Sequence, residues 1–300
     1  MKLTLLTALF FAVGSTASAV PSDSLKVSHL LEEVSFLSEK DNKILFLAKG
    51  FQGTPYLGGT LETFPFEQLV VRTDSVDCTT FVEYILAMNV ANTASHLTIS
   101  EEAVRTPSIS LYQQFKKALT TIRYRNGILD GYVSRLHYFS DWILDNEQKG
   151  IVREVTKESP YAVRKVDLNF MTTHASLYPK LAHSAEAVAR MKDIEGKWKG
   201  FQMAYIPKER LNGTKDELKI QDGDILTIVT NIKGLDVVHV GFACWVQNRL
   251  HLLHASSAKK HVLLDPIPLY DYSLNKKSHL GIRVVRILDK IPVTTIHGLN

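Results

Sequence analysis

The chain has 300 residues, 45% hydrophobic and 22% charged, a composition ordinary for a globular protein. That length allows one large domain or two small ones. The formal net charge of +4, with basic residues scattered apart from short pairs such as Lys259-Lys260, is too small to argue for a nucleic-acid partner.

The N-terminus is read first. Lys2 is followed by an apolar stretch from Leu3 to Val13 and by the small residues Ala17-Ser18-Ala19. This is the pattern of a secretory signal peptide over residues 1–19. The apolar stretch is too short to span a bilayer, and no later segment reaches that length. Cleavage after Ala19 predicts an exported protein, periplasmic or secreted, starting at Val20.

From Ser24 to Phe51 the spacing is helical, with Leu30, Leu31, Val34 and Leu37 on one stripe. "GFQGTPYLGGT", residues 50–60, is a glycine-rich loop. Cys78 to Val90 reads as a buried helix. Ser108–Ile122, Leu136–Gln148 and Tyr178–Lys197 read as further helices. From Asp222 the texture changes to β-rich runs, "GDILTIVT", "DVVHVGFACWV", "LHLLHAS", "HVLLDPI" and "LGIRVVRIL", separated by polar breaks. Helices followed by an antiparallel sheet give an α+β class.

An exported chain with only two cysteines, Cys78 and Cys244, leaves two readings: one disulfide, or a free reactive thiol at Cys78. Cys78 stands where the apolar run begins, in the first turn of its helix. Unpaired N–H groups and the positive end of the helix dipole there favour thiolate over thiol. A thiolate nucleophile needs a histidine partner. Of 11 histidines, His239 stands out inside an apolar strand, although a core histidine bonded to a backbone carbonyl fits there too. His251 and His254, on the next strand, are three apart and point to opposite faces. Only one of them can share a face with His239 and orient it, as the third member of a triad does.

Taken together, "GTPYLGG", "VDCTTF", "GDILTIV" and "HVGFACWVQNRLHLLHASS" resemble, in order, the motifs of NlpC-type cell-wall cysteine peptidases. The resemblance covers about a third of the chain. It implies a papain-like core, with the nucleophile's helix packed on an antiparallel sheet, and hydrolysis of amide bonds in peptidoglycan. By that resemblance Cys78 is the nucleophile, His239 the general base and His254 the third residue. Tyr56 matches the loop tyrosine facing substrate. Asp77 and Thr79 flank the nucleophile, where the family contacts the substrate's peptide end. Thr79-Thr80 departs from the family's Ser-Gly.

The separation of 161 positions between Cys78 and His239 exceeds that of the minimal core by a largely helical insertion, about 101–211, leaving core segments 24–100 and 212–300 of a single catalytic domain. "DGYVSRLHYFSDWILDN" within the insertion reads either as an amphipathic helix with ordinary surface charge or as part of the cleft. Together with Thr-Thr-Phe-Val-Glu after the cysteine, its Arg-x-x-Tyr-x-x-x-Trp pattern looks like an N-acetylmuramoyl-L-alanine amidase branch. That branch cuts between the muramic lactyl group and L-Ala, and the likeness implies substrate contacts from Arg135 and Tyr138. The partners implied are peptidoglycan or muropeptide fragments. No cofactor is implied, and the histidines lack a zinc spacing such as His-Glu-x-x-His. A D-glutamyl-diamino acid endopeptidase, an acyltransferase on the same core, and a binding module without turnover are the other readings.

Overall fold

The computed structural model describes residues 22–98 and 111–292; the expected signal peptide lies outside the described residues. Three helices lead, α1 (Ser22–Ser35), α2 (Lys43–Lys49) and α3 (Cys78–Thr98). Then follow α4 (Leu111–Arg123), α5 (Phe139–Gln148), β1 (Val152–Glu154), β2 (Ala162–Val166), α6 (Phe170–Thr173), α7 (Pro179–Ala182), α8 (Ala185–Gly196) and β3 (Phe201–Pro207). The last stretch runs α9 (Lys215–Leu218), β4 (Ile225–Thr230), β5 (Val237–Val246), β6 (Arg249–Ser256), β7 (His261–Leu264), α10 (Leu269–Leu274) and β8 (His279–Ile287).

The strands form one eight-stranded sheet in the order β2-β3-β8-β4-β5-β6-β7, with β1 also on β8. Every pairing is antiparallel. The class is therefore mixed helix and antiparallel sheet, as the order of the apolar patterns predicts.

The run after Cys78 has no amphipathic stripe because α3 is covered on all sides. Phe81, Val82, Tyr84, Ile85, Leu86, Ala87, Met88, Val90 and Ala91 are all buried. Burying a side chain such as Phe81 or Leu86 fully contributes about 1.5–3 kcal/mol. The Phe81 ring meets Phe242 of β5 edge-on at 5.5 Å between centroids. Alternation along β5 assigns its two faces. Val240, Phe242 and Cys244 pack into the core that contains α3. Ala243 joins a second core on the opposite face with Leu250, Leu252, Leu269 and Ile282.

Residues 111–211, read as largely helical, also contain β1, β2 and β3, which extend the sheet through β8. Leu168, Met171, Leu181, Met191 and Met203 build a third core there. The single helix expected over 178–197 is two, α7 and α8. Ser184 interrupts it by accepting the Ala187 N–H at 3.1 Å, which caps α8. Among the described residues no helix is long and apolar enough to cross a membrane.

Candidate active site

Asp77 sets the start of α3. Its Oδ1 accepts the Thr80 N–H at 2.8 Å, and Thr80 Oγ1 accepts the Asp77 N–H at 2.9 Å. Two otherwise unpaired donors are thus satisfied reciprocally, and the helix begins at Cys78. Cys78 is half-buried and free, as is the buried Cys244, so the disulfide reading is excluded. The Thr79 side chain and the backbone N–H groups of Val240 and Cys78 act on the sulfur. The thiol therefore meets β5 one residue beyond His239.

The electrostatics correct the expectation of a standing thiolate. Burial, and then the Asp77 carboxylate, push the Cys78 pKa up to about 12, against the opposing pull of those N–H groups and Thr79. The helix-end effect is worth at most about 2 kcal/mol, less than desolvation of a sulfur anion costs here. The Cys78 resting state is the neutral thiol. Tyr56 stands beside it, its own pKa raised to about 12 by burial and then by the Cys78 and Asp77 charges. Its loop is pinned by the Tyr56 N–H to the Lys260 carbonyl at 2.8 Å and the Leu57 N–H to the Val76 carbonyl at 3.0 Å.

His239 and His254 meet across β5 and β6. His239 Nε2 and His254 Nδ1 are 2.5 Å apart, with the rings nearly perpendicular. Gly241 makes this approach possible. A Cβ there would lie 2.8 Å from both His254 Cβ and the Leu253 carbonyl oxygen. Burial, then the charges of His254, Lys276 and His279, hold His239 well below the ordinary histidine range, so it is neutral and able to accept a proton. His251 points to the other face, as strand parity predicts. Its Nδ1–H donates to the Asp265 carbonyl at 2.9 Å.

Asp265 is the residue that sequence reasoning missed. It follows β7, its carboxylate Oδ2 lies 3.4 Å from His254 Nε2, and it is 3% exposed. An Asp before Pro266 at a strand end marks a turn; only the β6–β7 pairing brings it to His254.

Arg135 and Tyr138 sit differently from their expected substrate-facing positions. Arg135 is buried, donates to Glu62 at 2.6 Å and lies 3.4 Å from Glu67. Lys180 reaches Glu67 as well, at 3.3 Å. Tyr138 is 2% exposed; its hydroxyl donates to Glu195 at 2.7 Å and accepts the Met171 N–H at 2.8 Å. Both groups are engaged internally.

A cavity of about 990 Å³ lies toward the other end of α3, lined by Asn89, Asn92, Asp224 and Arg286. It contains none of the residues above. Among the described residues no group of three or more His, Cys, Asp or Glu side chains is arranged to hold a metal ion.

Comparison with known proteins assigns the chain a family. The model of the AmiA-like family, N-acetylmuramoyl-L-alanine amidase-like, matches residues 46–282. A solved N-acetylmuramoyl-L-alanine amidase from Bacteroides uniformis is 39% identical, covering 81% of this chain and 98% of that one with a TM-score of 0.71. A second amidase structure from the same organism is 36% identical over 89% and 99% of the two chains, TM-score 0.69. A Bacteroides fragilis protein described as a candidate xylanase is 40% identical over 80% and 99%, TM-score 0.71. No curated protein matches. The chain, matched over most of its length by that model and over nearly the whole of each of these structures, belongs to the AmiA-like, N-acetylmuramoyl-L-alanine amidase-like family.

Proposed function

We propose that this protein is an exported peptidoglycan hydrolase that cuts the amide between the muramic lactyl group and L-Ala, on a papain-like NlpC core, with Cys78, His239 and His254 as the catalytic set. The observation that carries this reading is the short His239–His254 hydrogen bond on the strand that meets the thiol. Family membership supports the substrate class. The apolar leader at residues 1–19 and the location of peptidoglycan outside the cytoplasm support export.

In the proposed cycle Cys78 Sγ attacks the lactyl carbonyl carbon as its proton passes to His239. A resting thiol with its pKa near 12 beside a neutral imidazole requires that transfer to accompany the attack. The Cys78 backbone N–H, in the first turn of its helix, turns to the oxyanion as the sulfur is acylated. The imidazolium protonates the departing L-Ala nitrogen, the C–N bond breaks, and a muramyl thioester remains on Cys78. His239 then takes a proton from water, hydroxide adds to the thioester, and the thiol is restored. His254 holds the His239 ring through both halves. Tyr56 and Thr79, beside the sulfur, border the substrate's acyl and peptide sides. Asp77, whose Oδ1 caps α3, acts mainly by fixing the nucleophile. This cycle needs no cofactor.

Digestion of purified muropeptides, with products read by mass spectrometry, tests the reading. The expected products are a free peptide beginning with L-Ala and an unsubstituted muramic sugar, and Cys78→Ala abolishes both. Cleavage of bare tetrapeptide at the rate of the sugar-linked form points instead to the endopeptidase. Transfer of the muramyl group to an added amine in preference to water points to the acyltransferase.

A further inference from the structure

We infer that Asp265 is a fourth, positioning member of the site: by accepting a proton-bearing nitrogen of His254 it fixes the direction of the hydrogen-bond chain, so that the base nitrogen of His239 is left unprotonated. This deepens the proposed Cys78–His239–His254 reading and rests on it.

The argument starts from the buried His254. Its side chain is 0% exposed. Nδ1 is occupied by His239 at 2.5 Å. Nε2 is buried and makes no hydrogen bond to any described residue; the polar group it faces is Asp265 Oδ2, within ion-pair distance at 3.4 Å. The Tyr272 ring stands edge-on to His254, 5.8 Å between centroids, and closes another side. A buried imidazole nitrogen carries a large penalty unless paired, so the carboxylate is where its N–H is satisfied.

Asp265 is itself held on three sides. Its N–H donates to the Leu252 carbonyl at 2.9 Å, and its carbonyl accepts from His251 Nδ1 at 2.9 Å. Its Oδ1 accepts the Ile267 N–H at 2.9 Å. One carboxylate oxygen remains, and it is the one turned to His254. Burial alone would raise the Asp265 pKa, but the His254 bond, the Ile267 amide, and the His254 and Lys259 charges outweigh it and leave it lowered. The group is an acceptor at neutral pH.

The tautomers follow. A neutral imidazole has one N–H. Placing it on His254 Nδ1 would set two lone-pair-bearing groups, Nε2 and the carboxylate, against each other. It would also force His239 Nε2 to accept, leaving the His239 proton on Nδ1, where it blocks the base. Placing it on His254 Nε2 satisfies the carboxylate and lets His254 Nδ1 accept the His239 Nε2–H. His239 Nδ1 is then the free base for the thiol proton. The same carboxylate stabilises the imidazolium once the proton has arrived.

The test is a tautomer measurement joined to kinetics. Long-range ¹H–¹⁵N spectra of the full-length enzyme should show His254 protonated on Nε2. In Asp265→Asn the amide can donate to His254 Nε2, so the proton should move to Nδ1 while the melting temperature stays close to wild type. The kcat on muropeptides should fall at least a hundredfold with KM within twofold, and Asp265→Glu should recover part of it. Protonation of wild-type His254 on Nδ1 would overturn the inference, whether or not the variant folds. So would an Asp265→Asn enzyme that keeps kcat within threefold. The spectra are of the resting enzyme and do not depend on which amide is cut. A failure of the muropeptide digest with the expected tautomer present would therefore fall on the functional reading, and the reverse pattern on Asp265.

Discussion

Replacing Gly241 by Ala should damage the site through a steric effect whose size is set by β5 and β6. The added Cβ would lie 2.8 Å from His254 Cβ, 2.8 Å from the Leu253 oxygen and 3.0 Å from Leu252 Cδ1. The first two are a Cβ and a backbone atom, which cannot rotate away. Ordinary contact begins near 3.4 Å, so about 0.6 Å of separation is needed between strands in antiparallel register at Phe242–Leu253. Overpacking of this kind costs about 1–3 kcal/mol. At about 2–4 °C per kcal/mol for a chain near this size, the melting temperature should fall by roughly 2–12 °C. The same shift lengthens the 2.5 Å His239–His254 bond, and misplacement approaching 1 Å costs up to about a hundredfold in rate. Thermal melts and kcat on muropeptides measure both effects. Gly196→Ala, where a Cβ meets nothing within 4 Å, should lower neither. Unchanged stability together with kcat within twofold of wild type for Gly241→Ala would refute the role given to this glycine.

Four further outcomes are expected. His254→Ala should lower kcat by orders of magnitude, whereas His251→Ala, which frees only the Asp265 carbonyl, should lower it far less; the reverse order would mean the strand faces are wrong. Glu83→Gln should destabilise by about 3–5 kcal/mol in urea titrations, because Arg123, 1% exposed and bonded to Glu83 at 2.7 Å, keeps an uncompensated buried charge; a loss under 1 kcal/mol contradicts this. Iodoacetamide labelling of Cys78 in the free enzyme should rise through pH 9 without levelling, as a thiol near pKa 12 requires; a plateau at neutral pH would reveal a standing thiolate. Stability should decline as pH falls from 6.5 toward 4. The pKa values of His239, His137 (about 3) and His279 (about 4) lie below 6.5, so the unfolded chain binds their protons first. His279, held near 4 by burial and then by the Lys276 and Lys208 charges, contributes to that loss; flat urea midpoints between pH 7 and 4.5 would contradict it.

The parts legible in the sequence are those where local pattern and burial agree. The unbroken apolar run after Cys78 is unbroken because α3 is enclosed, and odd spacing in β6 separates His251 from His254 regardless of what lies around them. β1 and β2 were hidden because three and five residues carry too little periodicity. Asp265 was hidden because its contact with His254 exists only after β6 and β7 pair. Arg135 and Tyr138 show a different limit: an aromatic and charged segment reads the same whether its groups line a cleft or satisfy one another, and here Glu62, Glu67 and Glu195 take them. The thiol shows a third. Helix-end geometry is a local property, but the burial and the Asp77 charge that decide its pKa belong to the assembled site.

Rapid-quench mass spectrometry of the enzyme mixed with a purified muropeptide, followed by peptide mapping, tests nucleophile and bond together. The acyl group caught on the protein is whatever stood on the carbonyl side of the cut amide. The proposed mechanism predicts a thioester on Cys78 that carries the muramic sugar through its lactyl carbonyl and contains no amino acid. An adduct on Cys78 that includes L-Ala-D-Glu would contradict the choice of bond, and turnover with no adduct on Cys78 at any quench time would contradict the choice of nucleophile.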